Sequence, residues 1–284
     1  MVPFVRPFFH EIFDITNENL RFSSKKFWLL CYHKLPMSAI VVIPARYNSL
    51  RFPGKSLALI NNKTMIRHVY ERAKCAREIK EVFIATDDER IKREVINFNG
   101  KFCMTSKEHK SGTDRIAEAI DEIQRHGFSL LEDDTVINLQ GDEPLVNPSL
   151  LEQLAIEMSS KSINMATFAR EIEKKEDIEN PNIVKVVFDK ERYALYFSRS
   201  PIPYQRNNYK VYKHIGLYGY RKDFLKYFTK LSPSPLELSE GLEQLRVLEN
   251  GFKIKIIVTE IDTIGVDTPE DIERVENWIK NLSL

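Results

Sequence analysis

The pattern of this chain predicts an α/β fold: a doubly wound, mostly parallel sheet with an inserted antiparallel ribbon. Three observations carry the prediction. Short apolar runs recur at 39–43, 81–86, 101–104, 135–139 and 165–169, which is strand length and strand composition. Between them lie stretches with apolar residues at helical spacing, and strand alternating with helix is the rhythm of right-handed parallel crossovers. Beyond residue 184 the rhythm changes to two closely spaced strands joined by a tight turn, which reads as antiparallel pairing.

Residues 39–43, A-I-V-V-I, are β-branched enough for a strand covered on both faces. Pro44 has no N–H to give a ladder, so the strand is expected to stop there. Residues 64–77 carry Met65, Ile66, Val69 and Ala73 on one helical face. The strand at 81–86 ends in Asp87-Asp88, two aspartates placed to cap a helix that runs to Phe98 and stops at Asn99-Gly100. After the strand at 101–104, Thr113 is expected to cap a helix with Ile116, Ala119, Ile120 and Ile123 inward. The strand at 135–139 leads at once into Gln140-Gly141-Asp142-Glu143-Pro144, and Asn147-Pro148 opens a helix to Met158 with proline at its first position. Residues 174–180 read as a charged connector.

The hairpin is expected at 184–188 and 193–198 about an Asp189-Lys190 turn, followed by a proline-broken loop and an aromatic strand at 214–220. A helix is expected at 222–231. Ser234-Pro235 should start another, running through Glu237, Glu240 and Glu243 to Gly251. The last strand is expected at 253–258. Thr268-Pro269-Glu270-Asp271 reads as a capping box that opens a C-terminal helix, which leaves Asp267, one residue earlier, to face a ligand or a metal.

The 284 residues are enough for one large α/β domain. With 42 basic and 41 acidic residues the formal charge is +1, so no global field draws the chain to nucleic acid. No apolar run reaches the roughly 18 residues of a membrane span. Cys31, Cys75 and Cys103 are odd in number and far apart, which fits neither a disulfide framework nor a zinc site and suggests a reducing cytoplasm. Residues 1–36 mix large aromatics such as Phe8, Phe9, Phe13, Phe22, Phe27 and Trp28 with charges, without period or cleavage signal. They read as an extension, poorly ordered or upstream of a start at Met37, with residues 37–284 as the single domain.

Chemistry concentrates in two stretches. The loop after the first strand carries Arg46, Arg51 and Lys55, with Pro53-Gly54 for a tight turn. Loops leaving the carboxyl ends of parallel strands are where such sheets bind ligands, so this loop is read as an anion cradle. Gly54-Lys55-Ser56 is not a Walker A tail, because Ser49 stands where that motif needs glycine. Asp142 follows another buried strand and should lie on the same sheet edge. Carboxylates beside a polyphosphate repel it unless a hard cation intervenes, and Mg²⁺ binds through one or two carboxylates plus phosphate oxygens. A magnesium-dependent nucleotide site is therefore expected.

The segments I-P-A-R-Y-N-S-L-R-F-P-G-K at 43–55, H-K-S-G-T-D-R at 109–115, N-L-Q-G-D-E-P at 138–144, Y-A-L-Y-F-S-R at 193–199, H-I-G-L-Y-G-Y at 214–220, S-P-L-E at 234–237, L-E-Q-L-R at 242–246 and G-V-D-T-P-E-D at 265–271 resemble, in order, the 3-deoxy-manno-octulosonate cytidylyltransferases. The resemblance implies transfer of CMP from CTP to the anomeric hydroxyl of 3-deoxy-manno-octulosonate (Kdo), with release of pyrophosphate, activating Kdo for lipopolysaccharide biosynthesis. It implies catalytic roles for Arg46, Lys55, Asp142 and Asp267, the two aspartates holding Mg²⁺. Nucleotide contacts would come from Ala45, Arg46, Lys55, Ser111, Thr113, Arg115 and Asp142. Sugar contacts would come from Arg51, Gln140, Arg199, His214, Tyr218, Glu237 and Glu243. It also implies a homodimer, joined through the aromatic ribbon at about 184–222. Leu50, Ser56 and Leu238-Ser239 depart from the family pattern at the pocket edges, so an 8-amino-Kdo or sialic-acid-like substrate stays open beside Kdo.

Overall fold

The computed structural model describes residues 39–48, 52–109, 111–207 and 209–282. The readings made of residues 1–36, of Leu50 and of Arg51 fall outside these. In chain order the elements are β1 (Ala39–Ala45), β2 (Leu59–Ile60), β3 (Lys63–Thr64), α1 (Met65–Lys74), β4 (Ile79–Thr86), α2 (Glu89–Asn97), β5 (Phe102–Met104), α3 (Gly112–Arg125), β6 (Thr135–Asn138), α4 (Pro148–Met158), β7 (Met165–Glu171), α5 (Lys175–Glu179), β8 (Lys185–Phe188), β9 (Ala194–Ser198), β10 (Tyr212–Arg221), α6 (Lys222–Phe228), α7 (Pro235–Glu240), α8 (Leu245–Glu249), β11 (Lys255–Val258) and α9 (Pro269–Leu282).

The main sheet has the order β11-β7-β10-β6-β1-β4-β5, and β2 and β3 form a small antiparallel pair of their own. β1 pairs in parallel with β4 and β6, and β4 with β5. β10 runs antiparallel between β6 and β7. Successive residues of β1 point to opposite faces. Ala39, Val41 and Ile43 pack with Ile66 and Val69 of α1, Val95 of α2 and Leu150 and Leu154 of α4. Ile40 and Val42 pack with Ile116, Ala119 and Ile120 of α3 and Phe224 and Leu225 of α6. Helices thus cover both faces, and the doubly wound architecture holds.

Five local expectations change. β1 continues through Pro44 to Ala45, because both residues pair with β4 while the β6 register ends at Val42 and Asn138. The Val42 carbonyl accepts from Leu139 N on the β6 side, so the nitrogen of Pro44, two residues on, faces the side where the ladder has already ended. Of the two aspartates, only Asp88 caps α2, accepting from Arg90 N at 2.9 Å. Ser111, not Thr113, caps α3, accepting from Asp114 N. The helix expected from Ser234 to Gly251 is two helices, since Gly241 takes a left-handed φ of 63° and ends α7. The charged connector contains the short helix α5.

The hairpin forms as β8 and β9, and β8 pairs with the start of β10. β10 then runs on into the middle of the main sheet, where its Tyr220 is buried. Between Ile215 and Tyr218 its register against β7 slips by two residues. The hydroxyl of Thr167 on β7 sits 3.0 Å from the Ile215 carbonyl and 2.9 Å from the Leu217 carbonyl, stitching this bulge.

Candidate active site

The parallel strands β1, β4 and β6 deliver their carboxyl ends to one edge, and the charged loops meet there. Gly54 N donates to the Tyr47 carbonyl at 2.8 Å, folding the basic loop back on itself, and Lys55 follows on a single helical turn. The turn after β6 lies close against the end of β1. A Cβ on Gly141 would sit 3.0 Å from the Pro44 carbonyl oxygen, so only glycine lets the two backbones approach this closely. That approach sets Asp142 beside Lys55. The Asp142 carbonyl in turn accepts from Val266 N at 2.9 Å, which draws the segment before α9 to the same edge.

Lys55 is where these pieces join. Its ammonium donates to Asp142 Oδ2 at 2.5 Å and to the Val266 carbonyl at 3.1 Å, and it lies 3.6 Å from Asp267 Oδ1. Two carboxylates 125 positions apart thus share one cation. Asp267 N and Thr268 N donate to Asp271 Oδ2 at 2.9 and 3.0 Å, so Asp271 closes the first turn of α9 and Asp267 projects toward the loop. Exposed Arg46 lies nearby with Ala45, Ser111, Gly112, Arg115 and Gln140 around a cavity of about 100 Å³.

Arg115 is buried, and its guanidinium bonds the Thr105 hydroxyl at 2.6 Å and Asp87 at 3.0 Å. Asp87, read from the sequence as a cap, therefore braces the loop that leads to α3. His109, from the same motif, pairs with Glu118, which also accepts from Ser106 N. Glu143 has one buried carboxylate oxygen without a hydrogen-bond partner, and burial, with the neighbouring Asp142 charge, pushes its carboxyl up to about 8.

The sugar-side residues divide. The bulge in β10 brings the rings of His214 and Tyr218 to 5.4 Å, although four residues of regular strand would span about 13 Å. Tyr218 stands opposite Asn138 on β6, and the Asn138 side chain accepts from Gln140 at 3.2 Å. Thr113 donates to Glu243 at 2.5 Å, and the Glu243 charge is felt by Tyr218. Gln140, His214, Tyr218 and Glu243 therefore form one neighbourhood. Burial pushes the His214 imidazole down to about 3 and raises the Tyr218 phenol and the Glu243 carboxyl.

Arg199 and Glu237 are engaged elsewhere. The Arg199 guanidinium donates to the Glu240 and Pro181 carbonyls. Glu237 closes the α7 capping box and grips Arg246 with both oxygens. Asn138 and Thr167 escaped the sequence reading, because a residue inside an ordinary buried strand carries no signal of its own.

Parallel strand ends, a basic loop and two converging carboxylates define an α/β nucleotidyltransferase site. The chain belongs to the cytidylyltransferase family, whose family model matches residues 40–256. A 3-deoxy-manno-octulosonate cytidylyltransferase of Thermodesulfovibrio yellowstonii is 55% identical over 256 residues, covering 87% of this chain and 100% of that relative. An 8-amino-3,8-dideoxy-manno-octulosonate cytidylyltransferase of Shewanella baltica is 51% identical over 244 residues, covering 84% of this chain and 98% of its own. Among solved structures, a CMP:2-keto-3-deoxy-manno-octonic acid synthetase complexed with CTP superposes with a TM-score of 0.79 at 42% identity, covering 86% of this chain and 99% of that one.

Proposed function

We propose that this protein transfers CMP from CTP to the anomeric hydroxyl of Kdo. The hydroxyl oxygen bonds to the α-phosphorus and gives up its proton to solvent, the bond from that phosphorus to the bridging oxygen breaks, and pyrophosphate leaves with its electrons. The observation that carries this reading is the meeting of Lys55 with Asp142 and Asp267 at the strand ends. Phosphoryl-type transfer asks for positioning and charge neutralisation more than covalent chemistry, and these residues supply both. Arg46 and Lys55 neutralise the triphosphate, with Arg51 on phosphate or sugar carboxylate. Ala45, Ser111 and Gly112 line the nucleotide side, and Arg115 holds that side in place through Asp87. Gln140, His214, Tyr218 and Glu243 face the sugar acid.

Asp142 and Asp267 fit Mg²⁺. Two hard carboxylates already converge on one cation, and magnesium takes its remaining ligands from phosphate and water. Bound there, the ion would supply charge neutralisation at the transferring phosphate.

We place the reaction in the cytoplasm and its product in lipopolysaccharide biosynthesis; among the described residues no helix is long and apolar enough to cross a membrane. A homodimer is proposed through the hairpin side, where Leu195, Tyr204 and Tyr209 are 62%, 90% and 78% exposed. Light scattering at the mass of a single chain would remove the dimer.

The test is to combine the protein with Mg²⁺, each nucleoside triphosphate in turn and a panel of sugar acids, and to measure pyrophosphate. Release with CTP and Kdo is expected. Release only with 8-amino-Kdo or sialic acid moves the assignment to that substrate, and no release with any pair rejects the reading.

A further inference from the structure

Glu243 lies in the turn between α7 and α8, yet its hydrogen-bond donors come from another part of the chain. Thr113 Oγ1 donates to Glu243 Oε2 at 2.5 Å across 130 residues, and the Ser111 hydroxyl lies beside the same carboxylate. The nearest cation from its own element, Arg246, stands at 3.7 Å from the other oxygen and is committed to Glu237 at 2.7 Å. The carboxylate on the sugar side is therefore held by the first turn of α3. That same turn lines the nucleotide side, since Ser111 and Gly112 border the cavity with Arg46 and Gln140. Thr113 is 3% exposed and lies beside Tyr220, itself buried. With this packing the hydroxyl has a fixed place, and a displacement of the α3 start must move the carboxylate or break a charge-assisted bond.

We propose that Thr113 is a positioning residue that couples the two halves of the site, its hydroxyl setting the Glu243 carboxylate so that nucleotide seated against the start of α3 prepares the contact for the sugar acid. The inference rests on the functional reading above. Its chemistry is simple. A carboxylate that accepts the Thr113 hydroxyl has lone pairs left for sugar hydroxyls, and nucleotide that orders the α3 start lowers the cost of ordering the carboxylate. Binding of the two substrates is then linked, and the linkage is reciprocal.

The test compares wild type with Thr113→Val, which removes the hydroxyl at nearly constant shape, and Thr113→Ser, which keeps it. KM for each substrate is measured by pyrophosphate release, and Kdo affinity by calorimetry with and without a non-hydrolysable CTP analogue and Mg²⁺. In wild type the analogue tightens Kdo binding. Thr113→Val raises the Kdo KM by about tenfold, as loss of one hydrogen bond to a charged group does, raises it by more than it raises the CTP KM, and abolishes the tightening. Thr113→Ser restores both quantities.

A Thr113→Val protein with a lower melting temperature but wild-type Kdo KM and wild-type tightening has only a structural threonine, and the proposal falls. It falls equally if Thr113→Ser behaves as Thr113→Val, or if the analogue does not tighten Kdo binding in wild type. Should Thr113→Val fail to fold, Ser111→Ala removes the other hydroxyl and reads the same two quantities; no change there overturns the coupling. Wild type that releases no pyrophosphate with any substrate pair refutes the functional reading instead.

Discussion

Lys55 neutralises both acidic side chains of the edge and is itself only 15% exposed, so its ammonium is aimed rather than free in solvent. Removing it leaves Asp142 and Asp267 without the cation they share. Lys55→Ala is expected to raise the CTP concentration needed for half-maximal rate by at least tenfold, about the worth of one charge-assisted hydrogen bond; an unchanged CTP dependence would take Lys55 out of the site. His214 makes a different prediction, about stability. Its imidazole titrates near 6.5 when unfolded and is pushed down to about 3 by burial in the fold. As pH falls from about 6.5 toward 3, the unfolded chain takes up a proton that the folded one refuses, so stability drops. Urea midpoints at pH 7 and pH 4.5 should therefore lie closer together in His214→Gln than in wild type. Equal spacing would contradict the buried neutral ring. Single residues also mark where sequence reasoning ran short. Asp87 and Asp88 look alike before a helix, but Asp87 answers Arg115 of the next crossover, a partner 28 residues away that no local spacing reveals.

Elements were legible where their signals are local. Asn147-Pro148 opens α4 and the helix ends at Met158, as the cap and the apolar period require. The β8–β9 hairpin likewise follows from two short apolar runs about a turn. What local pattern does not encode is the slip in β10, because a bulge is defined by the partner strand and not by the strand that carries it. That slip brings the His214 ring, tilted, to 5.4 Å from Tyr218, and Thr167 on β7 holds it open. The turn after β6 is the other element that tertiary contact dictates. Gly141→Ala would force its Cβ into the 3.0 Å gap to the Pro44 carbonyl, a backbone atom that cannot swing away. We expect a loss of about 1–3 kcal/mol in stability, read as a lower denaturation midpoint, together with reduced turnover as Asp142 is displaced. A variant with wild-type midpoint and rate would show that the close approach is not required.

At the scale of the molecule, the site exists because a doubly wound sheet brings remote chain segments to one rim. β1 and β6 are neighbours in the sheet, so Arg46 and Asp142 emerge together, and the backbone bond from Val266 to Asp142 adds the segment before α9. The strand–helix rhythm foretold that shared edge for the basic loop and Asp142. Asp267 was singled out from its place one residue before the cap, and its meeting with Lys55 is a property of the fold alone. Arg199 and Glu237 show the limit of carrying roles over by motif. Both lie in matching segments, yet their polar atoms are committed to backbone and to Arg246.

The most direct measurement is pyrophosphate release with CTP, Kdo and Mg²⁺ by Asp142→Asn and Asp267→Asn, each checked for an unaltered melting temperature. On the proposed magnesium role each substitution removes a charge worth several kcal/mol in the transition state, so turnover should fall by about a thousandfold or more in both. Wild-type turnover in either variant would contradict a site built on that pair.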